Sequence, residues 1–209
     1  MVKTSLVVVK ISERDDIYSK LYFHQNKKNS LVVIFPGGNY NCDRPLLHYA
    51  RKAALDEGHD VLCMSYRRKM EWKDSGEYTI ELQGDAGFDA IQKCMNKNYK
   101  NIYFVSKSIG TEIAGNISER MGYDKVTSIY ITPTKDAVKH IVSSKGVVVV
   151  GTEDFLLTTE DINKVKECSN IKLFSFKDAN HSLEVDKNIN ESIRILGEIG
   201  NIYINTFKN

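Results

Sequence analysis

No run in the chain approaches the ~18 consecutive apolar residues of a membrane span, and its first residues carry no long apolar stretch of the secretory kind. The four cysteines, Cys42, Cys63, Cys94 and Cys168, form no CxxC pair and no metal-ligand spacing. Cys63 and Cys94 fall in apolar patterns and read as core thiols, which suit a reducing compartment. A soluble, cytoplasmic protein is expected. An excess of one charge sign is also lacking. A net charge of +2 over 209 residues gives no electrostatic case for nucleic acid or an anionic membrane as partner. The short basic clusters Lys27-Lys28 and Arg67-Arg68-Lys69 read as solvated loop residues. No Pro/Gly-rich linker, repeat or low-complexity tract divides the sequence, so one domain over residues 1–209 is expected. A chain of this length buries roughly 70% of the surface its unfolded form exposes, enough to fold without disulfide or metal.

What the sequence does contain is an alternation of β-rich runs and helical patterns. Residues 4–11 and 17–25 read as two strands joined by the charged turn Glu13-Arg14-Asp15-Asp16, an antiparallel pair. The continuous apolar run Leu31-Val32-Val33-Ile34-Phe35 reads as a strand covered on both faces, and it stops at Pro36-Gly37-Gly38. A helix follows, with Asp43 as its expected N-cap, Pro45 in its first turn and Gly58 at its end. Further strands are expected at 60–66, 101–106, 127–132, 146–150 and 171–177. Helices are expected over 79–96, after 108, briefly before 146, near 159–168 and at the C-terminus, where Ile189, Ile193, Leu196 and Tyr203 keep helical spacing. Such alternation implies a mostly parallel sheet of about eight strands with helices on both faces. Ligands of such sheets bind at the carboxyl ends of the strands.

Three strand ends carry chemistry. The strand at 101–106 runs into Ser106-Lys107-Ser108-Ile109-Gly110 directly ahead of a helix. A serine on a tight strand-to-helix turn projects its hydroxyl from the sheet edge, where the helix N-terminus favours developing negative charge. Small residues are needed two positions either side of it, and Ser106 and Gly110 are small. A phosphate-binding P-loop ending at Lys107-Ser108 is excluded, because its glycines would fall on Asn101 and Ser106. The strand at 146–150 leads to Gly151-Thr152-Glu153-Asp154, and the strand at 171–177 to Asp178-Ala179-Asn180-His181. Of the 5 histidines, only His181 lies just beyond a strand in the second half of the chain.

These residues resemble the α/β hydrolases. Ser106-x-Ser108-x-Gly110 is similar to their nucleophile elbow, and the chain order Ser, Asp, His is theirs. The resemblance spans nearly the whole chain and is nearest to small lidless serine esterases and thioesterases of the dienelactone-hydrolase-like kind. It implies Ser108 as nucleophile, His181 as base and Asp154 as orienting acid, with Glu153, Asp178 and the more distant Asp161 as other candidates for the acid. It further implies an oxyanion hole from the N–H groups of Gly38, or Asn39, and of Ile109. Only about a dozen residues separate the strands at 127–132 and 146–150, where this fold commonly inserts a lid. An open site without a cap domain follows, lined by Asn39, Tyr40, Asn41, Tyr66 and Trp72 and suited to a small acyl ester or thioester. No metal or organic cofactor is called for. The competing reading is a catalytically silent binding protein on the same fold. Its support is Ser106 in place of the usual glycine and Pro36 in place of the usual histidine at the oxyanion turn.

Overall fold

In the computed structural model, residues 1–10, 16–25, 29–66, 76–95 and 98–208 are described, those at 76–79 by backbone alone. Eight strands form one sheet: β1 (Val2–Lys10), β2 (Asp16–His24), β3 (Ser30–Phe35), β4 (Asp60–Cys63), β5 (Asn101–Ser108), β6 (Val126–Pro133), β7 (Lys145–Gly151) and β8 (Ile171–Phe176). Their spatial order is β1-β2-β4-β3-β5-β6-β7-β8. β2 pairs antiparallel with β1 and with β4, and every other neighbouring pair is parallel. The helices are α1 (Pro45–Asp56), α2 (Gly76–Met95), α3 (Ile109–Met121), the single turn α4 (Val138–Ile141), α5 (Thr159–Lys166) and α6 (Ile189–Phe207). Among the described residues, no helix is long and apolar enough to cross a membrane.

All six residues of β3 are buried because both faces of the sheet are covered. Val32 and Ile34 point into a core shared with α1 and α6, where Leu47, Ala50, Ile195, Ile199 and Tyr203 meet them. Leu31, Val33 and Phe35 point the other way, to Ala90 and Ile91 of α2 and Ile113 and Ile117 of α3. This period of two is the pleat of a doubly covered strand. It repeats in β7, where Val147 and Val149 face the α1/α6 side and Val148 and Val150 a third cluster with Tyr130, Ile141 and Val165.

The chain leaves β3 toward β4 on one side, then returns past β3 to β5 and continues outward to β8. The order therefore reverses between β3 and β5. At such a switch point the connections leave in opposite directions and open a crevice beyond the strand carboxyl ends. Pro36 closes one wall of it and Ser108 the other.

Several boundaries differ from the sequence reading. Asp43 is not the cap of α1. Arg44 holds that position, without a side-chain cap bond. Asn41 explains the change: its Oδ1 accepts the Asp43 N–H at 3.1 Å in a side-chain turn, and the Asp43 carboxylate pairs with Arg51 instead. β4 stops at Cys63 rather than running to 66, since its pairing with β2 ends at Lys20 and its pairing with β3 at Ile34. β5 is longer than expected and reaches Ser108, with an irregular step against β6 between Lys107 and Ser108. The turn expected at 13–16 falls outside the described residues apart from Asp16, and so do Lys27-Lys28, Arg67-Arg68-Lys69 and Trp72.

Candidate active site

Ser108 sits where β5 becomes α3, with φ 52° and ψ −128°. A non-glycine residue rarely takes such a backbone, and the surroundings hold it there. The Thr111 hydroxyl donates to the Ser108 carbonyl at 2.6 Å and accepts the Thr134 N–H at 3.3 Å, tying the turn to the end of β6. On the opposite side α3 presses against the end of β3. A Cβ on Gly110 would stand 2.3 Å from the Pro36 carbonyl oxygen, so only glycine fits. Ser106 is fully buried, and its hydroxyl donates to the Ile129 carbonyl at 3.4 Å. A serine thus occupies the tight position without leaving a polar atom unpaired.

Asp154 and His181 arrive on two loops bonded to one another. After β7 and β8, the Thr152 N–H donates to the Phe176 carbonyl, the Glu153 N–H to the Ala179 carbonyl, and the Asp178 N–H to the Thr152 hydroxyl, at 2.9, 2.9 and 2.8 Å. Gly151 permits this contact, since a Cβ there would lie 2.1 Å from the Ala179 oxygen. Beyond it, the Asn180 Oδ1 accepts the Ser182 and Glu184 N–H groups and folds the histidine turn on itself.

The three side chains meet in a line. Asp154 Oδ2 is 2.8 Å from His181 Nδ1, and His181 Nε2 is 3.0 Å from Ser108 Oγ. A carboxylate only accepts, so Nδ1 carries the imidazole proton and Nε2 accepts from the serine hydroxyl. The Asp154 side chain is 6% exposed and that of His181 37%, so the carboxylate is shielded while the imidazole is partly open. The other acid candidates are engaged elsewhere. Glu153 and Asp178 are exposed on the paired loops. Asp161 completes a capping box with Thr158, whose hydroxyl and N–H hold its carboxyl below the usual carboxylate range.

The Pro36–Tyr40 turn abuts the nucleophile, and a Cβ on Gly37 would lie 3.3 Å from the Ser108 Cβ. The Gly37 N–H is spent on the Tyr40 carbonyl at 2.9 Å, while no backbone acceptor takes the Gly38 N–H in the turn. Ile109 is the first residue of α3, where the N–H lacks an intrahelical acceptor. Asn39 and Asn41 are exposed, and Tyr40 is half-buried with its hydroxyl accepting the Leu46 N–H at 3.0 Å. Tyr66 differs from an exposed rim residue. Its ring packs on the α2/α3 core, and its buried hydroxyl has no hydrogen-bond partner among the described residues.

Two cavities flank this turn. One of about 630 Å³ lies between Tyr40, Leu46, Leu183, Val185 and Ile193. The other, of about 710 Å³, lies over Gly38, Asn39, Asn41, Arg51 and Tyr66. Among the described residues, no three His, Cys, Asp or Glu side chains gather to hold a metal ion.

Solved structures share this architecture. Dienelactone hydrolase from Anabaena variabilis superposes with a TM-score of 0.72 at 12% identity, covering 98% of each chain. This is the α/β-hydrolase fold. An esterase of Pyrococcus furiosus superposes on this chain with a TM-score of 0.66 at 14% identity, over 98% of this chain and 92% of that one. A serine hydrolase without lid from Xanthomonas campestris gives 0.64 at 10% identity, over 96% and 93%. No protein-family model matches the sequence, and no curated protein is similar to it. Within the α/β-hydrolase fold, one feature escaped the sequence reading. Lys107, beside the serine, is 2% exposed, and its ammonium donates to the His181 backbone carbonyl. Its place as the residue between Ser106 and Ser108, with alternate side chains of β5 facing opposite ways, was the available signal.

Proposed function

We propose that the protein is a serine hydrolase that cleaves a small acyl ester or thioester through a Ser108–His181–Asp154 triad. The reading is carried by the unbroken line of hydrogen bonds from Asp154 through His181 to Ser108 at the sheet's switch point. In the reaction, Ser108 Oγ attacks the acyl carbonyl as His181 Nε2 takes its proton, and the Gly38 and Ile109 N–H groups bind the resulting oxyanion. His181 then passes the proton to the leaving group. Water attacks the acyl-enzyme, again with His181 as base, and releases the acid. Asp154 keeps the imidazole in the tautomer with Nδ1 protonated and stabilises the imidazolium while it lasts.

The apolar cavity beside Tyr40 and Leu183 is the place for the acyl group. Asn39, Asn41 and Tyr66, around the other cavity, are the groups for the leaving side. Only α4 and short 3₁₀ turns lie near the β6–β7 connection where a lid would sit, which favours short acyl chains. The test is fluorophosphonate labelling read by intact mass and peptide mapping, followed by turnover of acetyl against decanoyl esters. Stoichiometric labelling at Ser108 that disappears in His181→Ala is the expected outcome, with the acetyl ester turned over faster. Absence of labelling in folded protein overturns the hydrolase reading and favours a binding protein. A faster decanoyl ester overturns the short-chain assignment.

A further inference from the structure

A lysine with 2% exposure is costly, because its ammonium loses its hydration. Three contacts offset part of that loss for Lys107. Its Nζ donates to the Thr132 hydroxyl at 2.9 Å and to the backbone carbonyl of His181 at 2.9 Å. It also lies 4.9 Å from the centre of the Tyr40 ring, within range of a cation–π contact. An ammonium has three donor directions, and three partners surround this one. They come from the end of β6, the loop after β8 and the turn after β3, while Lys107 itself precedes the nucleophile. One side chain therefore joins every strand end from which the site is built, apart from the acid's. Its charge reaches the acid as well, since the Asp154 carboxylate draws on the ammonium electrostatically.

The geometry points to Lys107 as a positioning residue for the base: it holds the His181 loop by its carbonyl and ties that loop to the end of β6 and to the Tyr40 turn. The assignment rests on the hydrolase reading above. The charged and titratable groups that face Lys107 are Asp154, His181 and Tyr40; Arg44 and Glu184 reach only the Tyr40 side. Thr132 contributes a neutral hydroxyl. Burial holds the Lys107 ammonium down to about 8, against the upward pull of Asp154, so the charge is present at neutral pH and lost in mildly alkaline solution.

Two substitutions separate the tether from the charge. Lys107→Met removes both, and Lys107→Gln keeps a neutral donor. Turnover, KM and fluorophosphonate labelling are measured for each, beside a nuclear magnetic resonance titration of the His181 ring. For Lys107→Met, kcat is expected to fall about tenfold or more with KM within about twofold, as misplacement of a catalytic group costs turnover rather than binding. Lys107→Gln, which can still donate to the His181 carbonyl, recovers most of the turnover. In the wild type, the His181 ring signals show a second step near pH 8 as Lys107 deprotonates. This readout needs no variant to fold. Variants that keep the wild-type kcat and differ only in melting temperature overturn the assignment, and so does a His181 signal without the second step. Failure of the wild type to label at Ser108 overturns the hydrolase reading, and with it the role of His181 as base.

Discussion

Replacing Gly110 by alanine tests whether the oxyanion turn and the nucleophile turn are built as one unit. The added Cβ would come within 2.3 Å of the Pro36 carbonyl oxygen and 2.7 Å of that of Phe35. Both are backbone atoms, and Phe35 is fixed between two cores, so no flexible side chain absorbs the contact. Relief to an ordinary approach moves the Pro36–Gly37 peptide or the first turn of α3 by about an ångström. Overpacking of this kind costs about 1–3 kcal/mol, or roughly 5 °C in melting temperature for a domain of this size. The same movement displaces the Gly38 N–H from the oxyanion it is proposed to bind, and misplacement on that scale costs about 10²-fold in turnover. Circular-dichroism melts and hydrolysis of 4-nitrophenyl acetate measure the two effects. Gly197→Ala on α6 is the control: nothing lies within 4 Å of its Cβ, and a helical glycine so replaced stabilises by about 0.5–1 kcal/mol. A Gly110→Ala protein that melts and turns over like the wild type would refute the coupling of the two turns.

Asp154→Asn keeps the shape of the acid and offers the wrong hydrogen-bonding partner to His181 Nδ1. A loss on the order of 10⁴ in kcat is expected from steady-state kinetics, and a loss of only a few-fold would pass the role to Glu153 or Asp178. Lys107 also makes stability depend on pH. Below pH 8 it is protonated folded and unfolded alike; between about 8 and the ordinary 10.5 only the unfolded chain keeps the proton. The unfolded state then binds more protons, so stability rises with pH through that window, by about 3 kcal/mol in total. Urea melts from pH 7 to 11 should show this climb in the wild type relative to Lys107→Met, and a flat difference would contradict it.

The sequence made some of this legible and hid the rest for physical reasons. Leu31–Phe35 and Val147–Val150 announce themselves because strands covered on both faces must be apolar at every position. Ser108, Asp154 and His181 were recognisable as strand-end residues, and the structure brings all three within hydrogen-bonding distance. The α1 cap was misjudged between neighbours: Asp43 has the right chemistry, but Asn41 had already claimed its backbone N–H. Tyr66 was expected to line the open site; it borders the cavity over Gly38 and Asn39, but its ring also packs on the core, which nothing local shows. Lys107 was hardest to read. A lysine is ordinarily solvated, and its burial here depends on Thr132, Tyr40 and His181, which lie far from it in sequence.

The hydrogen-bonded loops after β7 and β8 also divide the site into a part that tolerates change and a part that does not. Acid and base ride on a single backbone-laced platform, so an insertion in either loop would disturb both partners of the imidazole at once. The turn after β3 and the chain beyond β4 carry no triad member. Changes at the exposed Asn39 and Asn41 on that flank would alter the cavity wall without touching the platform.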